Sequence, residues 1–174
     1  MLRTAAALVS AMALGACTTA GMNNQTPLGT ADLRFADGRS AGTATLMRSG
    51  ETLLMQVSVS GVPSGSRAIH LHTTGQCTAP DFESAGPHLN PFGRQHGLAD
   101  PAGPHLGDLP NLNVRASGVT TARMEIADNA ARALPNIFDA DGTAVIIHAQ
   151  ADDNVTDPAG NAGSRIVCGV LRRS

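Results

Sequence analysis

The distribution of histidine constrains this chain more than any other feature of its sequence. Five of the six histidines fall in one stretch of the chain, at His70, His72, His88, His96 and His105. Asp108 follows the last of them closely, and the sixth histidine, His148, stands alone far downstream. Imidazole nitrogens and carboxylate oxygens are donors that bind zinc and copper in proteins. The pattern therefore predicts metal sites, and the fold must bring separate segments together to build them.

Alternating polarity predicts that the chain folds mainly as β-strands. In residues 53–60, leucine, methionine and valine occupy every second position, which is the period of a half-buried strand. Further strands are predicted near residues 33–35 and over residues 43–48, 69–72, 121–126, 143–149 and 166–171. A helical turn or two is predicted only for Asp128 to Leu134. Short strands separated by turn residues indicate an all-β sandwich or barrel.

Charge argues against a nucleic-acid partner. All twelve basic residues are arginine, since the chain contains no lysine, and fourteen acidic residues give a formal net charge of −2. The arginines are dispersed, whereas a nucleic-acid surface requires a basic cluster. Aromatic side chains are limited to four phenylalanines, so the core is predicted to be aliphatic.

The N-terminus has the character of an export signal. Arg3 precedes a run of small apolar residues, Ala5 to Leu14, which is too short to span a bilayer. The run ends in Leu14-Gly15-Ala16-Cys17, which resembles the lipobox of bacterial lipoproteins, whose cysteine is acylated and becomes the new N-terminus. An ordinary cleaved signal, with Cys17 incidental, is the alternative.

These features divide the chain into three segments. We predict a lipoprotein signal peptide over residues 1–16, a lipidated Cys17 with a flexible tether over residues 17–27, and one folded domain over residues 28–174. Thr18, rather than an acidic residue, follows the cysteine. By resemblance to lipoprotein sorting, this predicts a periplasmic protein anchored to the outer membrane, with the lipid as its only membrane contact.

Cysteine usage agrees with export, because disulfides persist in oxidising compartments. The chain has three cysteines, and once Cys17 is assigned to acylation, Cys77 and Cys168 remain as one pair. Closing that loop would stabilise the domain by about 4 to 5 kcal/mol in the chain-entropy description.

The histidines divide into a strand-borne group and a loop-borne group. In the strand over residues 69–72, the period of two places His70 and His72 on one face and the aliphatic side chains on the other. His148 ends the apolar run 145–147 and points away from Val145 and Ile147. Taken alone, a His-x-His pair also arises by chance, and a lone histidine is more often a satisfied core or surface residue.

The loop-borne group consists of His88, His96, His105 and Asp108, in a segment rich in proline and glycine. Three imidazoles and a carboxylate complete a four-coordinate structural zinc site, although a solvated linker of the same composition is the alternative. One of these histidines could also bind a second metal through its other ring nitrogen. Such a bridge requires the ring to lose both protons, which flanking cations favour.

Motifs along the chain resemble those of the copper/zinc superoxide dismutases, in the bacterial exported branch of the family. They occur in the family's order from about Leu28 to the C-terminus, and all six histidines fall on the family's ligand positions. The motifs are His70-Leu71-His72, Cys77, residues 84–91 (SAGPHLNP), residues 94–97 (RQHG), residues 105–111 (HLGDLPN), residues 148–153 (HAQADD) and residues 160–170 (GNAGSRIVCGV).

The resemblance implies a Greek-key β-barrel or sandwich of about eight antiparallel strands, with long metal-binding and electrostatic loops. It implies a copper site made by His70, His72, His88 and His148. It also implies a zinc site made by His88, His96, His105 and Asp108, with His88 as the bridge. Asp152 would orient one ligand of each metal, Arg165 would attract the anion beside the copper, and Cys77 would be joined to Cys168.

The activity implied by the resemblance is the dismutation of superoxide to molecular oxygen and hydrogen peroxide, with copper and zinc as cofactors. A non-catalytic periplasmic lipoprotein that binds copper or zinc on the same fold is the alternative, and a structural envelope domain that holds only zinc is a further one. A homodimer is possible in either case. Because the chain has no lysine, electrostatic steering would depend on Arg165, with Arg94 and Arg115 as further candidates.

Overall fold

Nine β-strands form the framework of the protein in the computed structural model, which describes residues 25–174. In chain order they are β1 (Gln25–Phe35), β2 (Ser40–Ser49), β3 (Thr52–Val59), β4 (Gly65–Arg67), β5 (Ile69–His72), β6 (Leu112–Val114), β7 (Thr120–Ala127), β8 (Thr143–His148) and β9 (Arg165–Arg173). A short 3₁₀ helix spans Glu83–Ala85, and one α-helix, α1, spans Ala130–Ile137.

The strands form one large antiparallel sheet and one small one. The large sheet has seven strands in the order β5-β8-β9-β1-β2-β3-β7 and curls into a half-barrel, while β4 and β6 pair separately. Neighbours that are distant in sequence, such as β3 with β7 and β5 with β8, show that connections cross between strands rather than following a simple meander. The predicted all-β Greek-key fold is therefore confirmed, with nine strands in place of about eight.

The core lies on the concave side of the large sheet and is aliphatic, as predicted. Along β3 the burial pattern alternates, with Leu53, Met55, Val57 and Val59 buried and the residues between them half-buried. Strand β1 alternates in the same way, with Ala31 and Leu33 inward and Asp32 exposed. Burial of one face in this way fixes the register, because a slip of one residue would expose every apolar side chain.

All seven strands predicted from polarity belong to the large sheet. The helical segment predicted over residues 128–134 is confirmed but shifted, because α1 begins after Asn129, whose side chain accepts a hydrogen bond from the Arg132 backbone N–H and caps the helix. The pair β4 and β6 was not predicted, since three residues each are too few to show a period.

The first residues of β1 overlap the segment predicted to be a tether. Residues 25–27, assigned to the tether over residues 17–27, belong to β1, where Gln25 pairs with Ser49 and Pro27 with Met47. The predicted signal peptide over residues 1–16 and the predicted lipidation site Cys17 lie outside the part of the chain that the structure describes. Within residues 25–174, no helix has the length and apolar character needed to cross a membrane.

The disulfide between Cys77 and Cys168 is confirmed, with Cα atoms 5.7 Å apart and a sequence separation of 91 positions. It ties the long segment after β5 to strand β9. That segment, residues 73–111, carries the loop-borne histidines and pairs through its backbone with the free edge of β5. Its attachment there places the loop-borne histidines beside those of the strands.

Gly107 holds the long loop against β5 through backbone contacts. Leu71 donates its N–H to Gly107 O at 2.9 Å, and Gly107 donates to Leu89 O at 2.9 Å, while Leu89 donates to Leu71 O at 2.8 Å. A Cβ at position 107 would lie 2.3 Å from Leu71 O, so no side chain fits.

We expect Gly107→Ala to destabilise the domain by about 2 to 3 kcal/mol, because the backbones of two segments would have to separate. Urea unfolding of the two proteins measures this loss. Gly75→Ala is the matched control, since its Cβ would meet its nearest atom at 3.1 Å and requires only a small adjustment. Equal stability of the two variants would contradict the role given to Gly107.

Candidate metal centre

Four histidines from three parts of the chain converge on one point outside the sheet. Ligand atoms of His70, His72, His88 and His148 all lie within 4.8 Å of one another, and all four residues are buried. His70 and His72 come from β5, and His148 ends the neighbouring strand β8. His88 comes from the long loop, which is paired to β5 through an isolated bridge between His72 and His88.

The strand period places these imidazoles as predicted. Ile69 and Leu71 enter the main core, whereas His70 and His72 face the other side of β5. On β8 the core receives Val145 and Ile147, so His148 points outward with the first two.

Each of these rings is held by its outer nitrogen. His70 Nε2 donates to Asp152 Oδ2 at 2.7 Å, His72 Nδ1 donates to Gly86 O at 2.8 Å, and His148 Nδ1 donates to Gly163 O at 3.1 Å. A carbonyl or carboxylate oxygen only accepts, so the proton of each neutral ring is on the outer nitrogen. The other nitrogen keeps its lone pair and points to the centre of the group.

Those inner nitrogens have no hydrogen-bond partner among residues 25–174. The buried unpartnered atoms are His70 Nδ1, His72 Nε2, His88 Nε2, His148 Nε2 and His105 Nδ1. Buried polar atoms are normally paired, and an unpaired one requires an explanation such as an ion. Four convergent lone pairs without a donor fit a metal ion that accepts imidazole nitrogen.

A second group surrounds the Asp108 carboxylate. Asp108 Oδ1 lies 2.9 Å from His88 Nδ1, 3.1 Å from His96 Nδ1 and 3.3 Å from His105 Nδ1. Asp108 Oδ2 is fixed by the backbone N–H groups of Gly97 at 2.9 Å and His105 at 3.0 Å. The three imidazole nitrogens and the free carboxylate oxygen form a closed four-ligand set of the structural kind. His88 contributes Nδ1 to this group and Nε2 to the other.

Burial keeps the strand-borne imidazoles neutral at pH 7. Desolvation lowers the pKa of His70 to about 4, that of His148 to about 3 and that of His72 to about 2. Burial alone would raise the pKa of Asp108, but hydrogen bonds from His88 and two backbone N–H groups outweigh it and lower that pKa to about 2. The rings are thus in the neutral state, and the carboxyl in the ionised state, that metal binding requires.

Asp152 connects the two groups. Its Oδ2 accepts from His70 Nε2, and its Oδ1 lies 3.1 Å from His96 Nε2. Although burial opposes ionisation, the hydrogen bonds from these two rings hold the Asp152 pKa well below its ordinary value. Asn111 exchanges two hydrogen bonds of 2.8 Å with the Asp152 backbone. Gly160 leaves room for the Asp152 carboxylate, because a Cβ at position 160 would overlap it.

Arg165 begins β9, and its strand partner is His148. The guanidinium donates from Nη1 to Phe82 O and from Nη2 to Gly86 O, each at 2.8 Å. Gly86 O therefore accepts hydrogen bonds from both His72 and Arg165. Arg165 shares an open cleft with Asp81 and Glu83, which was not foreseen from the sequence.

The two other arginines predicted to attract the anion lie in different clefts. Arg94 lines a cleft that His88 and His105 also line, whereas Arg115 lies in a different cleft, with Asn113 of β6 and residues of β7. The carbonyls of Gly86 and Gly163 and the side chain of Asn111 were also missed as functional groups. Backbone carbonyls carry no residue-type signal, and Asn111 was quoted in a motif without a role.

Comparisons with known proteins identify the family of this chain. The sequence model for copper/zinc superoxide dismutase matches residues 40–171. The superoxide dismutase-like protein YojM of Bacillus subtilis is 43% identical over 139 residues, which are 78% of this chain and 71% of that protein. Copper-zinc superoxide dismutase 2 of Aquifex aeolicus is 38% identical over 147 residues, which are 82% of this chain and 85% of that protein.

A solved structure gives the same result for the fold. The crystal structure of a superoxide dismutase-like protein from Bacillus subtilis superposes with a TM-score of 0.77 at 39% identity, covering 84% of this chain and all of that one. Members of the matched family bind copper and zinc, and the two histidine groups could hold these metals. The chain belongs to the copper/zinc superoxide dismutase family.

Proposed function

We propose that this protein catalyses the dismutation of superoxide to molecular oxygen and hydrogen peroxide. The observation that carries the proposal is the pair of donor groups that share His88, with unpartnered inner nitrogens in the first and a closed set around Asp108 in the second. Two superoxide anions and two protons give one molecule each of oxygen and hydrogen peroxide, so the site must hold an anion and deliver protons.

The residues divide into two ligand sets. His70, His72, His88 and His148 would hold copper, and His88, His96, His105 and Asp108 would hold zinc. When bound, copper among imidazoles supplies the one-electron exchange, whereas zinc has no redox chemistry and holds its ligands in place. His88 Nε2 is the atom at which the chain can accept a proton and return it to the departing peroxide. Asp152 keeps the His70 and His96 rings oriented through their outer nitrogens.

Arg165 would bind and orient the anion. A guanidinium has five N–H donors, and the bonds to Phe82 and Gly86 fix its plane while leaving other donors free. Because these two carbonyls belong to the loop that Cys77 ties to β9, the disulfide would support the position of the guanidinium.

Two histidine substitutions test the enzyme and the ligand assignment together. We expect His148→Ala to abolish superoxide consumption and copper binding while zinc is retained, and His105→Ala to lose zinc with copper retained. Elemental analysis and a superoxide-consumption assay on metal-loaded protein measure both. A His148→Ala protein with unchanged activity would contradict the proposal.

The alternative is a non-catalytic copper- or zinc-binding protein on the same fold. The likeness to a Bacillus protein named only superoxide dismutase-like favours it. The same assays separate the two functions, because a binder would take up both metals in full without consuming superoxide.

Export is supported by the relatives, which include a protein named extracellular superoxide dismutase in Caenorhabditis elegans. We propose further that residues 1–16 are a signal peptide and that acylated Cys17 anchors the domain to the outer membrane. Fatty-acid labelling of the native protein and of Cys17→Ser tests the anchor, and light scattering on the domain tests the homodimer.

Asp81 and Glu83 should weaken the attraction of superoxide to Arg165. Both carboxylates lie in the cleft of Arg165, so their charge opposes an approaching anion. We expect Asp81→Asn with Glu83→Gln to raise the rate at low salt about two- to fivefold and to steepen its fall with ionic strength. Exposed Asp128→Asn removes charge elsewhere and is the control. Equal salt dependence in all three proteins would contradict this steering.

A further inference from the structure

An acidic cleft, separate from that of Arg165, opens beside the histidine group around Asp108. It has a volume of about 490 Å³ and lies where the long loop, the turn between α1 and β8 and the loop between β8 and β9 meet. Its walls include three carboxylates, one guanidinium and two imidazoles, namely Asp139, Asp141, Asp157, Arg94, His88 and His105. The cleft of Arg165, by contrast, is lined by no histidine.

The two histidines on its walls are the most exposed of the proposed zinc ligands. The side chains of His105 and His88 are 6% and 4% exposed, whereas those of Asp108 and His96 are 1% and 0% exposed. His105 is still more than nine-tenths buried, and its Nδ1 has no hydrogen-bond partner among residues 25–174. The cleft therefore ends on an unpartnered ligand atom that lies 3.3 Å from Asp108 Oδ1.

The carboxylates at the mouth of the cleft are not neutralised by arginine. Asp139 and Asp141 are exposed, and among residues 25–174 the ion pairs made by arginine lie elsewhere. Asp139 accepts one hydrogen bond, from the Gly142 N–H at 2.8 Å, through Oδ1. Arg94 is the single cation on the walls, so three carboxylates against one guanidinium leave a net charge of −2. Such a cleft attracts a cation and repels an anion.

Asp157 connects the acidic walls with the ligands. Its Oδ1 accepts from the His96 backbone N–H at 2.8 Å and lies 3.9 Å from His105 Nε2. Its Oδ2 accepts no hydrogen bond from residues 25–174. One oxygen thus fixes the carboxylate to the loop that carries the ligands, and the other is free to bind a cation beside the His105 ring. Carboxylate oxygen is an accepted ligand of zinc.

We propose that this cleft is the route by which the zinc ion enters and leaves the protein. Asp139 and Asp141 capture the hydrated cation at the mouth, and Asp157 holds it beside His105 while the ligand set closes around it. Carboxylate oxygens first replace water on the ion, and imidazole nitrogens then complete the set, so the charge of the ion is unchanged throughout. The inference rests on the zinc ligand set given under the proposed function.

Separate clefts for zinc and for the anion follow from this assignment. The cleft of Arg165 and the acidic cleft have no lining residue in common. A single path could not favour both ligands, because the potential that attracts a divalent cation opposes superoxide. Arg94, which the sequence offered as a residue that steers the anion, would instead oppose the uptake of zinc.

Zinc transfer rates test the route without any assay of activity. We expect Asp139→Asn with Asp141→Asn to slow zinc uptake by zinc-stripped protein about three- to tenfold at low salt, and Arg94→Gln to speed it. Both effects should disappear at roughly 0.5 M salt. Zinc content at equilibrium should stay full, because none of the three residues is a ligand. Asp157→Asn keeps an acceptor for the His96 N–H and should also slow uptake.

Extraction from the metal-loaded protein reverses the sign of the effect. Pyridine-2,6-dicarboxylate, a dianionic chelator, and 1,10-phenanthroline, a neutral one, are the probes, and elemental analysis follows the zinc. We expect Asp139→Asn with Asp141→Asn to speed extraction by the dianion about threefold or more, and Arg94→Gln to slow it. The rate with the neutral chelator should not change in either variant.

A control variant separates the cleft from the net charge of the protein. Glu125→Gln with Asp128→Asn removes two exposed carboxylates outside the cleft and should change neither rate. Equal rates in all cleft variants, or the same changes in this control, would overturn the route. The ligand set fails by a different result, since His105→Ala would then keep its zinc at equilibrium.

Discussion

Replacing Asp152 with asparagine is expected to lower the metal affinity of one of the two sites about 10- to 100-fold. The carboxylate accepts from His70 Nε2 through one oxygen and from His96 Nε2 through the other. An asparagine offers one acceptor and one NH₂ donor, so it satisfies one ring N–H and opposes the other. The opposed ring must move its proton to Nδ1, the nitrogen that faces the metal group, and it then has no lone pair for a metal.

Asp152→Leu extends the test to both sites. Leucine accepts from neither ring, so both His70 and His96 lose the contact that fixes their tautomer, and we expect both metals to be lost more readily. Competition with a chelator followed by elemental analysis measures each affinity. Asp128→Asn removes a charge from an exposed position and is the control. Retention of both metals by Asp152→Leu, at the level of the control, would show that the rings are oriented by packing alone.

The prediction of the fold from the sequence rested on the alternation of apolar and polar residues with a period of two. It identified every strand of the large sheet and the outward face of β5 and β8, because burial of one face is a local property of alternating residues. It could not identify β4 and β6, whose pairing of Gly65 with Val114 depends on contacts across the chain. The offset of α1 has the same origin, since its start is set by the Asn129 cap rather than by hydrophobic period.

The metal groups were foreseen by residue type and family resemblance, but their hydrogen bonding was not. Which nitrogen of His72 or His148 carries the proton is decided by the carbonyls of Gly86 and Gly163. These lie in loops whose paths depend on long-range contacts, and a carbonyl is present at every residue. The carboxylates beside Arg165 escaped prediction for a similar reason, because the fold of residues 79–83 brings them there.

Acid should unfold the metal-free domain far more readily than the metal-loaded one. Burial lowers the pKa of His70 to about 4, that of His148 to about 3 and that of His72 to about 2, whereas a histidine in the unfolded chain has a pKa near 6.5. Between these values the unfolded state binds protons that the folded state does not. The free energy of unfolding therefore has its full value above pH 6.5 and decreases as the pH falls below it.

Three histidines together give a slope of about 4 kcal/mol per pH unit below pH 6 and a loss of about 5 kcal/mol between pH 6.5 and pH 5, which is comparable to the whole stability of many domains. Urea unfolding of metal-free protein from pH 7 to pH 5 measures it. His72→Gln removes one titrating ring and should reduce the slope by about a third, whereas bound metal should flatten the profile until protons displace it. A flat profile for the metal-free protein would mean that the imidazoles are solvated, and the unpartnered nitrogens would then no longer imply a bound ion.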